Sequence, residues 1–148
     1  MSNTPEMNRK DFLQLFGMGA AALVASACLG SCGSKSSDPI PGASGVDFTV
    51  DLTAASSAAL NDAATGYIYG PNRAVIVAKT TAGTYVALQA PCPHQGTSVY
   101  FSPSSNQFIC PNHNAVFTTT GSGVSGPTSG GLKQYTVAQS GNKLRITG

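Results

Sequence analysis

Pro91-Cys92-Pro93-His94-Gln95-Gly96 is followed by Phe108-Ile109-Cys110-Pro111-Asn112-His113, with fifteen residues between His94 and Cys110. These two stretches hold the only two histidines of the chain and two of its four cysteines. Each supplies one thiolate and one imidazole. Between them, residues 99–101 and 107–109 flank Ser102-Pro103-Ser104-Ser105-Asn106, a turn-rich spacer that reads as a hairpin. Loops at the two ends of one hairpin meet when it closes. Two cysteines and two histidines then converge at one tip, which is a metal site by ligand chemistry. The prolines fix φ and remove backbone donors, and such short loops leave other backbone N–H groups free to point at the sulfurs.

Outward from this hairpin the chain is a series of short strands between turn signals. Residues 46–52 alternate Val, Phe, Val and Leu with polar side chains. Residues 74–78 and 85–88 form a hairpin around Thr80-Thr81-Ala82-Gly83-Thr84, and residues 135–138 and 143–147 another around Gln139-Ser140-Gly141-Asn142. The single weak helix candidate is 54–64. No internal repeat is visible. The expected fold class is all-β, an antiparallel sandwich or small barrel, with the Cys/His loops as a subdomain at one tip.

Composition agrees. The chain has 148 residues, which is one domain's worth. Charged residues are 9% of it, against about 25% in a typical soluble domain. The 17 Gly and 9 Pro suit a turn-rich exported domain. With a net charge of +2 and no extended Lys/Arg cluster there is no footprint for nucleic acid.

Three chemistries compete for the four ligands. A structural zinc takes Cys₂His₂ sets, but Cys-x-His is an unusual zinc spacing and the second loop has no helix-borne His pair. A Cys92–Cys110 disulfide suits an oxidising compartment but leaves the flanking histidines unexplained. An iron–sulfur cluster uses all four, since thiolates are soft, strong donors, and neutral imidazoles lower the cluster's negative charge and raise its potential.

The paired motif, Cys-x-His then Cys-x-x-His, resembles the Rieske signature, and the resemblance runs from Ala74 to the C-terminus. It implies a Rieske-type β-sandwich and one [2Fe-2S] cluster in two tip loops. It also implies that Cys92 and Cys110 bind the buried iron, and His94 and His113 the outer one. Gly126-Pro127-Thr128-Ser129-Gly130 resembles the third, proline-containing loop that covers the cluster. Two departures stand out. Rieske proteins of cytochrome bc complexes carry a second cysteine pair bridging the loops, at positions that here read Thr97 and Asn112. They also place a Ser two residues after the second His and a Tyr two further on, both donating hydrogen bonds at the cluster; here these are Ala115 and Phe117.

The N-terminus reads as an address. Arg9 and Lys10 precede residues 12–29, which are almost wholly apolar or small, the pattern of an export signal. Arg9-Lys10-Asp11-Phe12-Leu13 resembles a twin-arginine signal with Lys for the second Arg. Leu29-Gly30-Ser31-Cys32 resembles a bacterial lipobox, which makes Cys32 the lipidated residue; Cys28 fits less well. The alternative is an uncleaved anchor, although eighteen residues barely reach the about 20 that span a bilayer. The expected organisation is therefore an export signal with lipobox over 1–32, a flexible tether over 33–45, and a Rieske domain over 46–148. A dozen tether residues span roughly 20 Å.

Two function classes follow. The first is one-electron transfer at the outer face of a bacterial membrane by an exported, membrane-anchored lipoprotein, on the periplasmic side or in the cell envelope. Its partner would be a redox protein or a membrane quinol. The second is an electron-delivering small subunit of a periplasmic oxidase or oxygenase system. No further histidine is left for a mononuclear iron site, so the chain is not a complete oxygenase. Tyr67, Tyr69 and Tyr100 read as strand packing, and Lys133 and Arg145 as isolated solvated charges.

Overall fold

A computed structural model describes residues 39–128 and 130–148. The expected export signal, Cys28, Cys32 and residues 33–38 of the expected tether lie outside the described residues. Among the described residues no helix is long and apolar enough to cross a membrane.

All strand pairing among the described residues is antiparallel. The strands are β1 (Asp47–Asp51), β2 (Tyr67–Tyr69), β3 (Val75–Lys79), β4 (Tyr85–Gln89), β5 (Tyr100–Ser102), β6 (Gln107–Ile109), β7 (Val116–Phe117), β8 (Gly123–Ser125), β9 (Gln134–Ser140) and β10 (Lys143–Thr147). Six of them form a sheet in the order β1-β10-β9-β4-β3-β2, and the other four a sheet in the order β5-β6-β7-β8. The smaller sheet is thus inserted in sequence between β4 and β9, which are neighbours in the larger one.

β9 is the corner of the larger sheet. Its first residues pair with β4, Tyr135 opposite Ala87, and its later ones with β10, Val137 opposite Ile146. The sheet turns there, so Val50, Leu144 and Ile146 from one half pack on Val75, Val77 and Ala87 from the other. The opposite face of β3 and β4, with Ile76, Ala78 and Leu88, packs on Phe101, Phe108 and Phe117 of the smaller sheet. β3 is therefore buried on both faces, which explains why it reads as an unbroken aliphatic run and not as an alternation.

The three strand pairs expected from sequence are present within a residue or two. The 54–64 segment is a 3₁₀ turn, Ala55–Leu60, and not an α-helix. Ser57 explains the difference: its hydroxyl bonds back to the carbonyls of Asp51 and Ala54, the local competition that disfavours a longer helix. β2, β7 and β8 are two or three residues each and carry no alternation that could announce them.

Candidate metal centre

Two loops of one design carry the four ligand residues. Cys92 N–H donates to Thr97 C=O, and Cys110 N–H to Ala115 C=O, each across five residues at 2.8 Å. In each loop the fourth residue after the cysteine takes positive φ, Gly96 at 75° and Asn114 at 53°, conformations that Gly and Asn tolerate best. The bridge between Pro91 and Ser98 closes the base of the first loop. The design differs only in where the imidazole falls, two residues after Cys92 and three after Cys110.

The structure places the four predicted side chains as two pairs, Cys92 with Cys110 and His94 with His113. Cys92 and Cys110 are 1% and 2% exposed, are free thiols, and lie in one buried apolar cluster. Burial pushes the Cys92 thiol up, and the neighbouring Cys110 thiol adds to this. The backbone N–H groups of His94 and Gln95 oppose the shift by donating to the Cys92 sulfur, as short proline-bearing loops were expected to allow.

His94 and His113 are exposed, with Nδ1 facing Nδ1 at 3.2 Å and ring centroids 4.7 Å apart. Two nitrogens about 2.0–2.1 Å from one tetrahedral metal are about 3.3 Å apart, so the imidazole pair is spaced for one shared ion. Among the described residues no three His, Cys, Asp or Glu side chains gather around a single metal position. A thiol pair and an imidazole pair are the donor set that a Rieske-type two-iron cluster takes.

The surroundings complete the tip. The glycine-rich third loop packs on the second: a Cβ on Gly126, which has φ of 75°, would lie 2.9 Å from the Ala115 Cα. Ala115 and Phe117 are fully buried in the same apolar cluster as both cysteines. The Asn112 side-chain amide donates to Gln95 Oε1 at 2.9 Å, tying the two loops non-covalently.

Sequence reasoning missed a second tier of residues. Gln89 is 2% exposed, and its Nε2 donates to both Ile40 C=O and Pro91 C=O, at 2.9 and 2.8 Å. Residues 39–44 lie in no helix or strand, yet Ile40 N–H donates to Pro93 C=O at 2.9 Å, and Ala43 C=O accepts from Lys133 Nζ and Tyr135 OH. A Gln closing an apolar strand gave no signal for this. Lys133 and Arg145 are not isolated charges: Lys133 holds Ala43, and Arg145 forms a two-pronged pair with Asp47 at 3.1 and 2.8 Å. Tyr67 and Tyr69 pack against the core as read, and Tyr69 OH donates to Val99 C=O at 2.7 Å.

Comparison with known proteins agrees with this geometry. The family model of the Rieske [2Fe-2S] domain matches residues 50–136. The cytochrome b6-f complex iron-sulfur subunit of Cyanothece sp. is 31% identical over an alignment covering 98% of this chain and 87% of that protein. The corresponding subunit of Chlorobaculum tepidum is 32% identical over 83 residues, and the chain spans less than half of its length, 46%. Among solved structures, the plasma membrane Rieske protein of Synechocystis PCC 6803 superposes with a TM-score of 0.55 at 26% identity, over 68% of this chain and 99% of that one. The ferredoxin of carbazole 1,9a-dioxygenase from Nocardioides aromaticivorans shares the fold, with a TM-score of 0.53 at 18% identity over 71% and 98%. With its antiparallel sheets and its two Cys/His loops, the chain belongs to the Rieske [2Fe-2S] family and carries one Rieske-type cluster.

Proposed function

We propose that Cys92 and Cys110 hold the inner iron and His94 and His113 the outer iron. We further propose that the chain passes single electrons at the outer face of a bacterial membrane, anchored through a lipid on Cys32. The observation that carries the ligand assignment is the pairing itself: two thiols buried in one apolar cluster, and two exposed imidazoles with Nδ1 atoms 3.2 Å apart. When bound, the cluster supplies a one-electron couple. The thiols keep the inner side dry. The imidazoles put the outer side at the surface, where a redox protein or a membrane quinol can approach. His113→Cys and Cys110→Ser test the assignment: each should lose or convert the cluster and weaken the loops, because metal binding and folding are coupled. A full cluster content with an unchanged paramagnetic signal in both variants would refute it.

The membrane part rests on the sequence and on the kind of relatives found. Arg9-Lys10, the apolar residues 12–29 and Leu29-Gly30-Ser31-Cys32 support export and lipidation, with 1–32 as signal and lipobox, 33–45 as tether and 46–148 as the Rieske domain. Relatives named as cytochrome b6-f subunits and a plasma membrane Rieske protein support a membrane setting. Residues 39–44, within that tether, dock on the domain through Ile40 and Ala43. Mass spectrometry of the membrane-extracted protein should find a chain beginning at an acylated Cys32. A chain that retains residues 12–29 would favour an uncleaved anchor instead. If export follows the twin-arginine route, Arg9→Lys should block it, because a folded, loaded domain cannot be threaded.

A further inference from the structure

We infer that Ile40, outside the ligand loops, is a positioning residue that sets the reduction potential through the Pro93–His94 peptide. This rests on the ligand assignment above. Ile40 N–H donates to Pro93 C=O at 2.9 Å, while the N–H of the same peptide unit, on His94, donates to the Cys92 sulfur. A trans peptide is planar, with its C=O and N–H pointing in opposite directions. Anchoring the carbonyl therefore aims the amide. A donor on the carbonyl also polarises the unit and strengthens its N–H as a donor. The chain runs from strap to peptide plane to sulfur through two consecutive hydrogen bonds.

The strap is built to hold that geometry. Ile40 lies between Pro39 and Pro41, which confine it to extended backbone. Its own carbonyl is gripped by buried Gln89, whose second Nε2 bond goes to Pro91 C=O, one residue before Cys92. Gln89 Oε1 accepts from Lys133 N–H at 3.3 Å, which ties in the chain leaving the third loop. Gly42 packs so tightly that a Cβ there would lie 2.7 Å from Lys133 Cβ and 2.9 Å from Gln89 Oε1. One buried side chain thus joins strap, first cluster loop and the approach to β9. The Ile40 side chain is 37% exposed and touches the loop at Gly96, so what the site takes from this residue is its backbone amide.

Hydrogen bonds to sulfur stabilise the electron-rich reduced cluster and raise its potential. Ile40→Pro removes the amide donor and leaves an extended Pro-Pro-Pro segment. Ile40→Ala keeps the amide and serves as the conservative control. In the full chain, Ile40→Pro should retain iron and sulfide but shift the redox equilibrium about tenfold toward the oxidised form, about 59 mV for one electron. Ile40→Ala should stay at the wild-type potential. If Ile40→Pro does not load, Gln89→Leu, which frees the strap from the loop, is read in the same way and should shift in the same direction. An unchanged potential in the loaded variant overturns the inference, as does an equal shift in Ile40→Ala. Amide hydrogen exchange on the wild type gives a reading that needs no variant: the Ile40 and His94 amides should be protected, and a freely exchanging Ile40 amide overturns the strap. A wild-type chain with no iron or sulfide would overturn the ligand assignment and this inference together. A loaded wild type with an unresponsive potential would overturn this inference alone.

Discussion

Ala115→Ser places a hydroxyl at the position where the resemblance to Rieske proteins of cytochrome bc complexes implies one, and the structure sets what it can do. Ala115 is fully buried in the cluster of apolar side chains that includes Cys92, Cys110 and Phe117. The third loop packs directly on it, since a Cβ on Gly126 would lie 2.9 Å from the Ala115 Cα. The new hydroxyl either donates to a cluster sulfur or stays unpaired, at a cost of about 1–3 kcal/mol. If it donates, and the bond is about 1 kcal/mol stronger to the reduced cluster, the potential rises by about 40 mV, since about 1.4 kcal/mol is a factor of ten and a factor of ten is about 59 mV. Film voltammetry read beside thermal unfolding separates the two fates: a raised potential with little loss of stability, or a lost degree of stability with no change in potential. Phe117→Tyr should raise the potential as well if the ring keeps its place. Without either hydroxyl, the wild type should sit in the lower or middle part of the Rieske range of roughly −150 to +300 mV. A wild-type value near the top, with no rise in Ala115→Ser, would refute the reasoning and assign the poise to backbone N–H groups alone.

Phe108 is fully buried, 5.0 Å from the Phe101 ring centroid and two residues before Cys110. Phe108→Ala should therefore cost about 3–5 kcal/mol in chemical denaturation and lower cluster retention with it. Asn112→Ala breaks the exposed bond to Gln95. It should cost less than about 1 kcal/mol of stability, yet the loaded protein should bleach faster in the presence of chelator, because that bond ties the two ligand loops to each other. The Arg145 hydrogen bond, followed by its charge, holds the Asp47 carboxyl below the usual range. A depressed folded value means that the contribution is present above the unfolded value of about 3.9 and is lost as pH falls through the folded one. The small stability difference between wild type and Asp47→Asn should accordingly vanish only in strong acid, as urea midpoints across pH would show.

What could be read from sequence and what could not divides along physical lines. β6 was legible to the residue because Gln107–Ile109 ends at a proline-bearing turn on one side and at a ligand motif on the other. β3 was legible as a strand, but its burial on two faces had to come from the structure, because a run of aliphatic side chains does not say how many layers cover it. The four Cys and His side chains were legible because so few side chains of those types exist and they are spaced for metal. Gln89 was not, because a single amide at the end of a strand looks the same whether it faces water or clamps two carbonyls. The strap was not, because Pro-Ile-Pro-Gly has the composition of a linker, and a linker docked through its backbone atoms carries no side-chain signature. Asn112 was seen only as a missing cysteine, and its bond to Gln95 depends on the fold of both loops.

Iron, acid-labile sulfide and zinc determined on the purified wild-type chain, with the paramagnetic spectrum of the reduced protein, test the central claim most directly. Two irons and two sulfides per chain and a Rieske-type signal are the result expected of a thiol pair on one iron and an imidazole pair on the other. One zinc, no sulfide and no signal would contradict it.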